Sequence, residues 1–287
     1  MRASFRRDMR LRRIVSAFAL VFAAGAAAGC DTEPPKTALG YTESAKRAYD
    51  AAMQEFNAHN WLEAQSMMRE VKRKYSYSRQ ARLAELRIAD ADYEQEKYSD
   101  AIREYKDFVH EHRSDEEDLA YARSRVAEAT YKEIPESFLS PASEERDQAS
   151  VLDAYKEMRA YLVDYANSKE SAHVRELLGD IIARLIRHEL YVARFYLNKE
   201  NYDATIARIQ YALHNYAPAE PALDASPLSA GHELAGQALL LLGETYLRMH
   251  KWPDARDAFE AAFRNNPRSA TAVIARNYLD SMKGQGV

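Results

Sequence analysis

The side chains best suited to chemistry are few and scattered. Cys30 carries the only thiol of the chain, and a lone cysteine cannot close an internal disulfide, so its sulfur suits attachment of another group. His188-Glu189 and His232-Glu233 each set an imidazole beside a carboxylate, the opening of a zinc-protease motif. Neither has the second histidine three residues beyond the glutamate that would bring two imidazoles onto one helical face. His110 and His112 stand two apart on a predicted helix and point in different directions, so no shared metal is expected there. Asp90 and Asp92 precede Tyr93, but two helical residues turn the carboxylates about 200° apart. They are expected to be solvated or to line a groove, without acid–base work. Gly-rich phosphate loops, a Gly-x-Ser-x-Gly elbow and a nucleophilic cysteine beyond residue 30 are all missing. The expectation is a chain that is no enzyme and has no metal or cofactor other than a covalent lipid on Cys30.

That lipid follows from where Cys30 lies. Arg2, Arg6, Arg7, Arg10, Arg12 and Arg13 against Asp8 give the first 13 residues +5, and Ile14 to Ala28 form an apolar run. The run is shorter than the ~20 residues that span a bilayer, so residues 1–29 read as a secretory signal peptide. It ends in Ala27-Ala28-Gly29-Cys30, which resembles a lipobox, with Ala27 where leucine is commonest. The resemblance implies a diacylglyceryl group on Cys30, and three acyl chains hold a protein to a membrane durably. Residues 30–40, with Pro34 and Pro35, read as the lipidated cysteine and an extended linker. Such an anchor keeps the domain at a membrane surface, and which membrane stays open at this point. Asp31 keeps inner-membrane retention open, because that residue type after the cysteine can act as a retention signal. Removing the leader's +5 from the formal −4 leaves −9 for the remainder. That sign argues against nucleic acid, whose affinity comes mainly from Lys and Arg on phosphates.

The remaining residues must supply the elements. Nine Gly and nine Pro in 287 residues leave few turns, and helical apolar spacing runs from Thr42 onward. An aromatic opens a helix with a small residue three positions later at Trp61/Ala64, Tyr98/Ala101 and Trp252/Ala255. Tyr202/Thr205 and Val151/Ala154 are weaker copies. Around the last aromatic pair, Leu242, Gly243, Tyr246, Ala255, Phe259, Ala262 and Pro267 resemble the 34-residue tetratricopeptide consensus. The fold expected is all-α, a tetratricopeptide-repeat solenoid of about five degenerate helical hairpins with a C-terminal capping helix. Repeats one, two and the start of three occupy 41–133, with central repeats at 147–216 and the last repeat and cap at 232–287. Inserted between them are a loop at 134–146 and a Pro-rich loop at 217–231. Ala172 to Lys199 is predicted as one long helix, and Ala270 to Met282 as the cap.

Taken together, the lipobox, the spacer and the repeats resemble the BamD family of outer-membrane assembly lipoproteins. Asn60-Trp61-x-x-Ala64, Tyr75-x-Tyr77-Ser78, Ala89-Asp90-Ala91, Phe138-Leu139-x-Pro141 with Asp147-Gln148, and His188-Glu189-x-Tyr191-Val192-Ala193 carry the resemblance. It implies a scaffold at the periplasmic face of the outer membrane that binds the periplasmic domains of a BamA-like barrel protein, together with other assembly lipoproteins, and helps insert unfolded outer-membrane proteins. Carried onto this sequence, Arg184 and Arg208 of the fourth repeat are the candidates for the BamA-like partner, since Arg bridges carboxylates bidentately. An equal structural reading pairs them with glutamates of their own array. Tyr75, Tyr77 and Tyr93 are candidates for a groove accepting extended, aromatic-ended substrate segments, while Tyr98 is expected in the core. Another periplasmic repeat lipoprotein, pilotin-like or a partner in division and envelope constriction, remains open as the alternative.

Overall fold

The computed structural model describes residues 37–113, 115–135, 143–216 and 230–284. Cys30, the signal peptide, Phe138, Leu139 and Pro141 of the first insertion, and residues 217–229 of the second lie outside them. The described residues form eleven α-helices, one short 3-10 turn and no strand. In chain order these are α1 (Ala38–Asn57), α2 (Trp61–Lys74), α3 (Arg79–Glu94), α4 (Tyr98–Glu111) and α5 (Glu116–Lys132). After the 3-10 turn Ser143–Glu145 come α6 (Ala149–Asp164), α7 (Ser171–Asn198), α8 (Tyr202–Asn215), α9 (Ala230–Arg248), α10 (Trp252–Asn265) and α11 (Ala270–Gly284). None of these helices is long and apolar enough to cross a membrane.

They pair as five antiparallel hairpins, α1/α2 to α9/α10, with α11 packed on the last. The recurring small residue is the reason the pairs close: Ala64, Ala101, Ala154, Thr205 and Ala255 are all fully buried where the two helices of a hairpin meet. Gly243 serves the same end at the fifth hairpin, since a Cβ there would lie 2.5 Å from the Phe259 ring. Phe259 is itself buried and stacked on Tyr278 of α11 at 4.5 Å, which is how the cap covers the last repeat. At three of the hairpins the aromatic that opens the second helix packs edge-on at the turn, as Trp61 does on Phe56 at 5.1 Å, Tyr98 on Tyr93 at 5.3 Å and Trp252 on His250 at 5.6 Å.

Four of the five hairpins turn in the same way. His59, Glu96, Glu200 and His250 have φ between 56° and 61°, each two residues before its opening aromatic. At the first, the His59 amide donates to the Phe56 carbonyl at 3.0 Å and the Asn60 amide to Glu55 at 2.9 Å, the paired bonds of a Schellman ending. The other three repeat the pattern with the same spacing. The third hairpin carries the first insertion as its own turn, between α5 and α6, and the described residues of that turn include no left-handed residue.

Two boundaries differ from expectation by small amounts. α1 begins at Ala38, inside the stretch expected as linker, because the Thr37 hydroxyl accepts the Gly40 amide at 3.2 Å and caps the helix ahead of its apolar pattern. The long helix runs from Ser171 to Asn198, about 42 Å at the helical rise, and its Ile181, Ile182, Ile186 and Leu190 form the centre of the largest core cluster.

Candidate functional site

The first helices of successive hairpins, α1, α3, α5, α7 and α9, lie side by side along one face of the array. α1 packs on α3, α5 on α7, and α7 on α9, whereas α3 and α5 make little close backbone contact. Large polar and aromatic side chains fill the space between those two helices, and Asp90 is at their centre.

Asp90 is 3% exposed. Its carboxylate accepts hydrogen bonds from the hydroxyls of Tyr105 and of Tyr121, the latter at 2.8 Å, and from the Arg87 guanidinium; Arg125 Nε lies 3.8 Å away. The expectation that this residue is solvated is therefore corrected. Two hydroxyls and two guanidinium groups replace the water that an aspartate otherwise needs, which is the condition for burying a charge. Asp92, 7% exposed, is buried as well.

The network extends along the same face. Arg125 donates to Glu128 at 2.7 Å, and its guanidinium lies 3.8 Å from the centre of the Tyr93 ring. The Tyr93 hydroxyl donates to Glu128 at 2.9 Å, and Glu128 lies 3.7 Å from His173 of α7. Burial, reinforced by the neighbouring carboxylates, raises Tyr105, Tyr121 and Tyr93 above the usual phenol range, so all three remain hydrogen-bond donors at neutral pH. Burial alone would lower the Arg125 guanidinium, but Tyr105, Tyr121 and Glu128 outweigh it and hold the charge in place. Arg87 Nε is buried without a hydrogen-bond partner. The arrangement gathers tyrosine rings, carboxylates and guanidinium groups between α3 and α5, with the hydroxyls of Tyr93, Tyr105 and Tyr121 donating to Asp90 and Glu128. The signal for it in the sequence is the spacing of Arg87 and Asp90 at i,i+3 and of Tyr121, Arg125 and Glu128 at i,i+4,i+7, and reading the chain for known motifs missed it.

The residues singled out from the sequence fall in three places. Tyr93 joins the network above. Tyr75 and Tyr77 lie at the opposite end of α3, about 24 Å away along its axis from Tyr77 to Tyr93, so the structure does not bring the three together. Tyr75 packs edge-on against Tyr41 at 5.4 Å, and Tyr77 is 97% exposed. Arg208 donates to buried Glu189 at 3.2 Å while remaining 44% exposed. Arg184 lies over the Tyr131 ring at 5.4 Å and donates to its hydroxyl at 3.3 Å. The two arginines stand on neighbouring helices, and the contacts just named are to different residues. Cys30 lies outside the described residues.

The structure also joins two segments that are distant in sequence. His188 Nδ1 meets the Glu144 carbonyl at 2.7 Å, Arg187 approaches the Glu144 carboxylate at 3.8 Å, and Tyr191 hydrogen-bonds Glu145. The end of the first insertion is thereby fastened along α7, and His188 serves as its clasp. His112 pairs with Glu85 at 2.8 Å beside Glu111, away from any pairing with His110, and Lys72 lies 3.4 Å from the same Glu85.

Similar helical arrays occur among solved structures. The TPR2AB-domain:pHSP90 complex of yeast Sti1 covers 84% of this chain and 97% of its own at 14% identity with a TM-score of 0.37. TTC0263, a thermophilic TPR protein of Thermus thermophilus, covers 83% of this chain and 97% of its own at 14% identity and a TM-score of 0.34. Outer membrane protein assembly factor BamD of Neisseria meningitidis serogroup A is 23% identical over 208 residues, which are 72% of this chain and 78% of that protein. BamD of Neisseria gonorrhoeae is 22% identical over the same shares. Residues 42–230, about two thirds of the sequence, match the YfiO family, described as outer membrane lipoprotein. The chain belongs to that family.

Proposed function

We propose that this protein is a scaffold of outer-membrane protein assembly, held at the periplasmic face of the outer membrane by acyl chains on Cys30. It binds a BamA-like barrel protein and other assembly lipoproteins through its later hairpins, and extended segments of unfolded barrel proteins through its first three. It has no catalytic role. The observation that carries the polypeptide-binding part is Arg87, whose partly exposed guanidinium bonds Asp90 and Tyr49 while its buried Nε has no partner. An orphaned donor of this kind costs stability, and a peptide carboxylate or carbonyl would satisfy it. The relatives named assembly factor BamD support the choice of outer-membrane proteins as the polypeptides.

Arg208 suits the second contact. It spends one nitrogen on Glu189 and keeps its guanidinium on an exposed face beside α7, the geometry that bridges a partner's acidic group. Pull-down from detergent-solubilised membranes should recover a BamA-like barrel protein, and Arg184→Glu with Arg208→Glu should reduce that recovery about tenfold or more, the effect of truncating a buried charge pair at an interface. Arg87→Ala should reduce recovery of unfolded barrel proteins and leave the BamA-like partner in place. A thermal melt of each variant separates lost binding from lost folding. Recovery of secretin or division proteins in place of a barrel protein would overturn the reading in favour of another periplasmic repeat lipoprotein.

A further inference from the structure

One end of the first hairpin exposes side chains that no contact within the chain accounts for. Tyr77, on the turn between α2 and α3, is 97% exposed, and Leu39 in the first turn of α1 is 76% exposed. The edge-on pair Tyr41 and Tyr75 ties these two segments together at the same tip. Within residues 70–79, Lys72, Arg73, Lys74 and Arg79 outnumber Glu70, four positive less one negative, or +3; Arg73 and Lys74 share Glu70 at 3.6 and 2.7 Å and Lys72 lies 3.4 Å from Glu85, yet all three keep about half or more of their side chains exposed. The next turn on the same edge, between α4 and α5, has the opposite character, with Asp115, Glu116, Glu117 and Asp118 in succession. Arg82 offsets part of it, through contacts of 2.7 Å to Asp115 and 3.3 Å to Asp118, and Lys169 another part, 2.7 Å from Glu117.

We propose that this tip is a membrane-docking surface. Tyr77 and Leu39 enter the headgroup region of the bilayer, and Lys72, Arg73, Lys74 and Arg79 lie against the phosphates of anionic lipids. The proposal rests on the reading of Cys30 as the lipid anchor. Six residues separate Cys30 from Thr37, and a fully extended chain over those seven steps reaches at most about 25 Å. The tip is therefore held within about 25 Å of the bilayer. Tyrosine favours that depth because its ring is apolar and its hydroxyl stays wet, and Lys and Arg hold their charges in the headgroups while their stems cover apolar surface. Each contact is weak alone, but a surface already tethered beside the bilayer meets it at high effective concentration. The acidic turn of the second and third hairpins would be repelled by anionic lipid, so contact stops after the first hairpin and the array projects away from the membrane. The same residues do not suit the peptide face, from which Tyr77 is separated by the length of α3.

The test uses the full chain acylated on Cys30, in phosphatidylethanolamine vesicles with and without phosphatidylglycerol. Acylation consumes the only native thiol, so Ser76→Cys beside Tyr77, or Leu62→Cys at the far end of the first hairpin, carries a single nitroxide label. The label at 76 should be several-fold more accessible to lipid-soluble oxygen, relative to a water-soluble nickel chelate, than the label at 62. Adding Tyr77→Ser should remove most of that preference. Changing Lys72, Arg73, Lys74 and Arg79 to Gln should abolish its dependence on phosphatidylglycerol. Vesicles that float with both labels equally water-exposed overturn the docking surface and leave the anchor intact. Failure of both labelled proteins to float overturns the anchor and the docking surface together.

Discussion

Asp90 shows how much a single residue can decide. Its carboxylate is the common acceptor for Tyr105, Tyr121 and Arg87, which come from α4, α5 and its own helix, so one side chain fixes the spacing of two neighbouring hairpins. Asp90→Asn keeps the shape but removes the charge, leaving Arg87 and Arg125 without their shared counter-ion in a site that is largely shielded from water. The expected cost is at most about 3–5 kcal/mol, the range for breaking a buried ion pair, and a shift in the urea midpoint measures it. A midpoint unchanged within error would mean that solvent already screens the two guanidinium groups. Little of this was legible in the sequence. The i,i+2 spacing of Asp90 and Asp92 argues against a carboxylate pair, yet it could not show that α4 and α5 bring hydroxyls to one of them, because those partners lie 15 and 31 residues away.

Among the helices, the hairpins are defined by their turns. Four non-glycine residues occupy the left-handed region, a conformation that costs an L-residue roughly 1–2 kcal/mol. The sequence hides this feature because His59, Glu96, Glu200 and His250 share no chemistry; what they share is their position two residues before the aromatic. Glu96 is exposed, so Glu96→Gly relieves backbone strain and disturbs no core packing. It should stabilise the chain by about 0.5–1 kcal/mol after the entropy that glycine adds to the unfolded state is subtracted, seen as a higher melting temperature. A lower melting temperature would show that the Glu96 side chain contributes more than its backbone costs. The clasp at His188 belongs with these turns, since a tetratricopeptide reading sees ordinary helix there and the structure shows the end of the inserted loop fastened to it.

For the whole molecule, stability passes from hairpin to hairpin, since the core divides into clusters that each span neighbouring elements. The cap is the last link. α11 supplies Ala275, Tyr278 and Met282 to the cluster around Phe259, and a chain ending at Arg268 would expose that ring on the side Tyr278 now covers. Removal of residues 269–287 should therefore make α9 and α10 the first segment cut in limited proteolysis while the earlier hairpins stay resistant. Uniform loss of resistance along the chain would instead mark the array as one cooperative unit.

Residue spacing alone was enough to establish the helical class, the number of hairpins and the small buried residue in each, because these depend on local periodicity and on contacts between adjacent helices. The long helix and the cap were legible for the same reason, each being an unbroken apolar stripe. Stacking in three dimensions was needed to set α3 and α5 apart around a buried aspartate, to leave Tyr75 and Tyr77 at an end far from Tyr93, and to return the insertion to α7. Each of those depends on where stacking carries residues tens of positions apart, and a periodic pattern holds no record of that distance.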